Sequence, residues 1–219
     1  MVDTKKDLKE ELKGKRIRVE NPFTPTRIRE YQLLRLLGKG SYGNVYMATN
    51  KQEQLIALKE IQAKGDSKSL RRIKNEIEIL KAVKHLNIIE LYEVIQDTDR
   101  IFLATEYCDG GDLSRYLKQK ITLNELEVQD IVYQIAKGLK ALYKSNIMHR
   151  DIKPQNLLVS NAEGKLTIKI ADFGLARYST GYASTYCGTL SYMAPEVLQG
   201  YIYLINLVSN TAQRQSYGV

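Results

Sequence analysis

The sequence predicts an α+β fold in two lobes, a small antiparallel-sheet lobe with one helix followed by a mainly helical lobe. Three observations carry this expectation. Strand-like runs dominate from Tyr31 to Cys108 and are interrupted by a single stretch of helical spacing. A glycine cluster, GKGSYG at 38–43, stands between two strand patterns, with no helix directly after it. Beyond residue 112 the pattern turns helical, above all in a long amphipathic run that begins near TLNE.

Residues 1–30 mix charges of both signs and include NPFTPT, whose prolines cannot continue a helix, so they read as an extension with little core of its own. From Tyr31 the runs YQLLRLLG, NVYMAT and LIALKEI read as strands, the last two separated by the polar turn NKQEQ. Alternation in a strand puts Ala57 and Lys59 on one face and Leu58 and Glu60 on the other. A dinucleotide-binding fingerprint needs a helix straight after its glycines, and the strand that follows here argues against that fold. The cluster alone leaves open whether it holds a phosphate or only turns the chain. Residues 69–84 space Leu70, Ile73, Ile77 and Leu80 at helical intervals. Glu76 lies beside that stripe, where a carboxylate is either a solvated helix charge or the partner of a cation on a neighbouring strand. The runs NIIELYEVI and RIFLATEYC come next, and CDGGDL reads as a turn opening a short helix. Thr122 and Glu125 have capping-box spacing at the start of the long helix, whose stripe runs through Val128, Ile131, Ile135, Leu139 and Leu142.

Composition narrows the function classes. At 219 residues and 43% hydrophobic, the chain can bury a core. The formal charge of +8 is spread without a dense basic block, which suits anionic ligands and gives no ground for a nucleic-acid partner. The two cysteines, Cys108 and Cys187, lack metal-ligand spacing, so neither a disulfide framework nor a zinc site is expected. No signal-like apolar region opens the sequence, and YIYLINLV is too short to span a bilayer. A soluble protein of the cytoplasm or nucleus is expected, without a transmembrane segment.

Two polar segments carry the chemistry. IMHRDIKPQNLLVS at 147–160 and LTIKIADFGLARY at 166–178 set Asp151, Lys153, Asn156 and Asp172 between apolar runs. This inventory suits phosphoryl transfer. Asp172 and the amide oxygen of Asn156 are hard ligands for a divalent metal. Asp151 can accept a proton from a hydroxyl nucleophile, and Lys153 can neutralise charge on the transferring group. Taken singly, either segment is also readable as a polar turn capped by Asp or Asn.

The sequence resembles eukaryotic protein kinases. The resemblance rests on Gly38, Gly40, Gly43 and Val45 (G-x-G-x-x-G-x-V), Lys59 in IALK, Glu76, HRDIKPQN, DFG at 172–174 and APE at 194–196, in that order. It covers residues 31 to about 198 and implies a bilobal protein-kinase-like fold: N-lobe 31–105, hinge 106–112, and a partial C-lobe 113–198. The segment GKGSYG (Gly38, Lys39, Gly40, Ser41, Tyr42, Gly43), with Asn44 and Val45, is then a lid over ATP phosphates. By the same resemblance Lys59 contacts the α and β phosphates and is held by Glu76. Leu37, Val45, Ala57 and Leu158 wall the adenine, Thr105 is the gatekeeper, the backbone of Glu106 and Cys108 meets the adenine edge, and Asp112 reaches the ribose. Asp151 and Lys153 are catalytic, Asn156 and Asp172 hold Mg2+, and Arg150 pairs with a phosphate on Thr185 of the activation loop. Lys153 together with Thr189 in GTLSYMAPE implies a serine/threonine kinase, with protein substrates. EYCDGGDLSRYL, IKIADFGLARY and TYCGTLSYMAPEV are most similar to the autophagy-initiating kinases, which implies autophagy or stress signalling.

After APE the sequence departs from the family pattern. LQGYIYLINLVSNTAQRQSYGV contains no aspartate, and its one charged residue is Arg214. Residues 199–219 therefore read as a tail unlike a kinase, the larger lobe as truncated, and the stripe from Val128 to Leu142 as short of a partner unless Tyr201, Ile202, Leu204, Ile205 and Leu207 fold over it. Three outcomes stay open: an active kinase, a nucleotide-binding module that phosphorylates nothing, and an unstable fragment.

Overall fold

The computed structural model describes residues 27–40, 43–63, 67–120, 122–161, 164–179, 182–183, 187–198 and 203–204. Six strands form the first lobe: β1 (Arg27–Ile28), β2 (Tyr31–Gly40), β3 (Gly43–Thr49), β4 (Leu55–Gln62), β5 (Leu91–Gln96) and β6 (Arg100–Glu106). They make one antiparallel sheet in the order β1-β2-β3-β4-β6-β5. The sheet starts earlier than Tyr31. Arg29 takes a φ of 50°, which turns the chain so that Ile28 pairs with Tyr31, and Ile28 is buried. Residues 27 and 28 thus belong to the sheet lobe, not to the N-terminal extension.

Register fixes which residues share a face. Val45, Lys59 and Leu103 are cross-strand partners, as are Met47, Ala57 and Thr105. The opposite face buries Ile28, Tyr31, Ala48, Ile56, Leu58, Ile95, Phe102 and Ala104 in a core of its own. On the Lys59 face, Ile61 and Leu103 share one core with Ile73, Ile79 and Leu80 of helix α1 (Ser67–Ala82) and with residues of the second lobe. On α1 the buried positions are Ile73, Glu76, Ile79 and Leu80, while Leu70, expected on the stripe, is 38% exposed.

In the second lobe Asp112 caps helix α2 (Leu113–Lys120) by accepting the Arg115 amide at 2.9 Å. Helix α3 (Glu125–Lys144) is capped two residues later than expected. Asn124, not Thr122, is the N-cap, and its reciprocal bonds are with Glu127, not Glu125. The buried face of α3 is Ile131, Gln134, Gly138 and Leu142, with Ile135 at its margin. Val128 and Leu139 of the expected stripe lie outward, 43% and 37% exposed, so the face that packs is rotated from the one apolar residues alone would choose. A Cβ at Gly138 would sit 2.7 Å from Ile170 Cδ1 and 2.8 Å from Asn87 O, and this close approach requires glycine.

Short strands β7 (Gly111–Asp112), β8 (Ile147–Met148), β9 (Leu157–Ser160), β10 (Thr167–Ile170) and β11 (Arg177–Tyr178) position the polar segments. β10, β9 and β7 form one sheet, and β8 pairs with β11. β12 (Tyr182–Ala183) pairs with β13 (Tyr203–Leu204). The backbone of Leu204 is therefore joined to the segment after β11. Tyr201, Ile202, Ile205 and Leu207 lie outside the described residues. Helix α4 (Pro195–Leu198) ends the larger lobe's described elements before β13. One core cluster runs through both lobes, from Ile61 and Leu103 to Ile131, Leu142, Ile168 and Phe173. Where they meet, the buried Asn87 donates to Gln134 Oε1 at 3.0 Å and Ile168 O at 2.9 Å.

Candidate active site

The strand alternation that puts Lys59 on the covered face of β4 also aims it at α1. Its Nζ lies 2.7 Å from Glu76 Oε1 and 3.3 Å from Asp172 Oδ1. Glu76 is thus the partner of a strand cation and not a solvated charge; only 6% of its side chain is exposed. Burial lowers the Lys59 pKa, but the Glu76 and Asp172 charges outweigh it and raise the value overall, so the lysine stays protonated. Asp172 has a φ of 61°, a left-handed conformation that costs a non-glycine residue energy and is held in place by the burial of its neighbour Phe173. The Phe173 ring is 1% exposed and meets His149 edge-on, with ring centroids 4.9 Å apart.

Asp151 is held from three directions. Lys153 Nζ is 2.8 Å from Oδ2, the Thr189 hydroxyl donates to Oδ1 at 2.7 Å, and Asn156 Nδ2 donates to Oδ2 at 2.9 Å. Lys153 also donates to Thr189 Oγ1 at 2.7 Å. Burial pushes the Asp151 pKa up, but the bonds from Lys153, Thr189 and Asn156 and the Lys153 charge outweigh it and hold the carboxyl below its ordinary value. It is a carboxylate at neutral pH. Asn156 also donates Nδ2 to Asp151 O at 2.8 Å. With both amide protons directed at Asp151, what Asn156 can offer a cation is its oxygen. Asp172 and Asn156 therefore present hard oxygens, the donor set that suits Mg2+, which keeps waters and phosphate oxygens as its other ligands. No group of three or more His, Cys, Asp or Glu suited to a metal occurs among the described residues.

The supporting residues are equally specific. His149 Nε2 lies 2.9 Å from Ala171 O, and the Asp151 amide donates to Nδ1 at 3.3 Å. A carbonyl can only accept, so the ring is the neutral Nε2–H tautomer. Burial lowers its pKa, outweighing the Ala171 hydrogen bond and the nearby carboxylates that raise it. The folded state thus resists protonation, and the stability His149 confers is present above its unfolded value of about 6.5 and lost as pH falls through the folded value. The melting temperature should decline below about pH 6.5, and His149→Gln, which gains no proton, should flatten that decline in a pH series of thermal melts. Arg150 has a φ of 67° and donates Nε and Nη2 to Leu175 O at 2.8 and 2.5 Å, tying the segment before Asp151 to the one after Phe173.

The residues expected to wall the adenine lie mainly on strands. Leu37, Val45, Ala57, Thr105 and Leu158 are half-buried, the last four on strands whose neighbouring positions are mostly buried. Gly38, Lys39 and Gly40 pair with Val45, Asn44 and Gly43 across the β2–β3 hairpin. Asp112 pairs with Leu158, with one carboxylate oxygen used in capping α2. Cys108 is buried, which with the Glu106 charge pushes its thiol up to about 12, so it packs as an unreactive residue. Asn44 is a correction. It lies next to Val45 and so on the opposite face of β3, where its side chain is bonded to Glu60 and Tyr46, away from the cleft. Ser41, Tyr42 and Thr185 lie outside the described residues.

Three supports were not picked out from the sequence. Lys169 is buried and forms a 2.7 Å ion pair with Glu106 Oε2, while the Glu90 amide donates to Glu106 Oε1 at 2.7 Å. These bonds brace the hinge residue from behind. The amides of Asn87 and Gln134, the latter a polar residue within an apolar helix face, lock α3 to β10. His149 is the third.

A glycine-closed strand hairpin over a lysine–glutamate pair, facing a carboxylate loop and a metal-suited aspartate, defines the class as the protein kinases. The match to known sequences agrees: the protein kinase domain family model matches residues 31–208, and the chain belongs to that family. Among curated proteins it is 42% identical over 178 residues to serine/threonine-protein kinase ATG1a of Arabidopsis thaliana, covering 80% of this chain and 28% of the relative. It is 39% identical over 184 residues to serine/threonine-protein kinase ULK1 of Homo sapiens, covering 80% of this chain and 18% of that one. Aurora kinase B of Mus musculus is 39% identical over 188 residues, 83% of this chain and 52% of its own length. The chain thus spans only about a fifth to a half of these relatives.

Proposed function

We propose that this chain is the catalytic part of an ATP-dependent protein serine/threonine kinase, transferring the γ-phosphoryl group to serine or threonine side chains. The observation that carries the reading is the Asp151 carboxylate, kept ionised and aimed by Lys153, Thr189 and Asn156. Bound MgATP supplies the phosphoryl group and the cation that offsets its charge. The protein's own residues do the rest. Lys59, oriented by Glu76, receives the phosphates, and Asp172 and Asn156 offer their oxygens to the metal. Asp151 accepts the proton of the attacking hydroxyl, and Lys153, 2.8 Å away, balances negative charge at the acceptor. Val45, Ala57 and Leu158 would wall the adenine, and the backbone of Glu106 and Cys108 would meet its edge.

Arg150 is proposed to take a phosphate on Thr185, and likeness to the autophagy-initiating kinases supports a role in signalling that starts autophagy or answers stress. Its proposed setting is the cytoplasm or nucleus. The test is transfer of labelled γ-phosphate from ATP to peptide libraries carrying serine, threonine or tyrosine as the sole acceptor. Labelling of serine and threonine peptides supports the reading; labelling confined to tyrosine, or none, contradicts it.

A further inference from the structure

Glu60 is the residue after Lys59 on β4 and points to the other face of the sheet, where it is 5% exposed. Most of the residues around it on that face are apolar, and a carboxylate among them is costly unless it is fully bonded. It is held from two neighbouring strands. Oε2 accepts from Asn44 Nδ2 at 3.1 Å and from the Tyr46 hydroxyl at 3.2 Å; Oε1 accepts from Arg100 Nη1 at 3.2 Å. Asn44 Nδ2 also donates to Tyr46 OH at 3.0 Å, and Arg100 is steadied by Asp97 at 3.3 Å and by the Phe102 ring. A second feature converges on the same residue. Gly43 has a φ of 144°, and a Cβ there would lie 1.9 Å from Glu60 O. The side chain at 44 and the lack of one at 43 together seat the return arm of the glycine hairpin on Glu60.

We infer that Asn44, Glu60 and Arg100 form a positioning network that sets the height of the glycine hairpin over the nucleotide phosphates. The inference rests on the nucleotide reading proposed above. Because Glu60 adjoins Lys59 along the chain, the anchor of the hairpin lies next to the phosphate-binding lysine on the same strand. The network touches no ligand. It acts through β3, so it matters to ligands with phosphates and not to adenosine, which is held by the adenine walls and the hinge.

The variant Asn44→Asp removes the donor and sets a second carboxylate against Glu60. It should weaken MgATP binding about tenfold while adenosine binding changes by less than about twofold. The double variant Asn44→Asp/Glu60→Gln restores the bond with donor and acceptor exchanged, and Arg100 keeps an oxygen to bond. It should bring MgATP affinity back to within about threefold of wild type. Titration calorimetry of the 1–219 chain with each ligand reads both. Unchanged MgATP affinity in Asn44→Asp, or equal weakening of MgATP and adenosine, overturns the network's role, the latter because it marks a general loosening of the sheet. Wild type that binds neither ligand overturns the nucleotide reading itself, and this inference with it.

Discussion

Asp151→Asn should lower phosphoryl transfer by about 10²- to 10⁴-fold, the range over which a positioned general base acts, while leaving MgATP affinity nearly unchanged. The substitution is isosteric, and its oxygen can still accept from the Thr189 hydroxyl, now 2.7 Å from Oδ1. What disappears is the basic oxygen that meets Lys153 and Asn156, replaced by an amide with no proton affinity. Asn156 keeps its bond to the backbone oxygen of residue 151, and the other proposed nucleotide contacts lie on Lys59, Asp172 and the strand walls, so binding and chemistry should separate. Single-turnover transfer alongside nucleotide titration measures the two independently. Equal transfer by wild type and variant would remove Asp151 from its role.

Lys59→Met should be more damaging, because it affects both catalysis and the fold. The Glu76 side chain is 6% exposed and loses its cation. Removing one partner of a buried pair costs roughly 3 kcal/mol, and at about 2–4 °C per kcal/mol for a chain of this size the melt should drop by about 6–12 °C. Loss of a charge aimed at the phosphates should also reduce transfer by about 10²- to 10³-fold. The double variant Lys59→Met/Glu76→Leu separates the effects. An apolar pair in place of a buried ion pair is often near neutral for stability, so the melting temperature should recover while transfer does not. Recovery of transfer in the double variant would show that the pair serves only the fold.

Much of this site was legible because strand alternation is a strict rule. Once LIALKEI is a strand, Ala57 and Lys59 must share a face, and the register with Val45 and Thr105 builds on that. The same rule applied to NVYMAT puts Asn44 opposite Val45; grouping the whole glycine motif as nucleotide-facing overrode that local signal. Other features depended on partners remote in sequence. Lys169 stands between Ile168 and Ile170 in a strand and looks unfavourable until Glu106 is placed beside it. The buried face of α3 was misaligned for a related reason: Gln134 and Gly138 pack there because β10 and Asn87 come close, and an apolar count passes over both. The capping box moved from Thr122 to Asn124 because two overlapping pairs have the same spacing, and only the point where the chain bends into α3 chooses between them. On α3 the apolar residues Leu126, Val132 and Tyr133 are exposed, while Ile131 and Leu142 are covered.

Thermal unfolding of the 1–219 chain with and without MgATP tests most directly the claim that these residues form a nucleotide site in this molecule. Ligand at about 100 times its dissociation constant adds about 2.7 kcal/mol, which should raise the melting temperature by roughly 5–11 °C. Magnesium alone should leave it nearly unchanged. A cooperative melt that rises with MgATP is the predicted result; a melt that does not respond to nucleotide would contradict the claim.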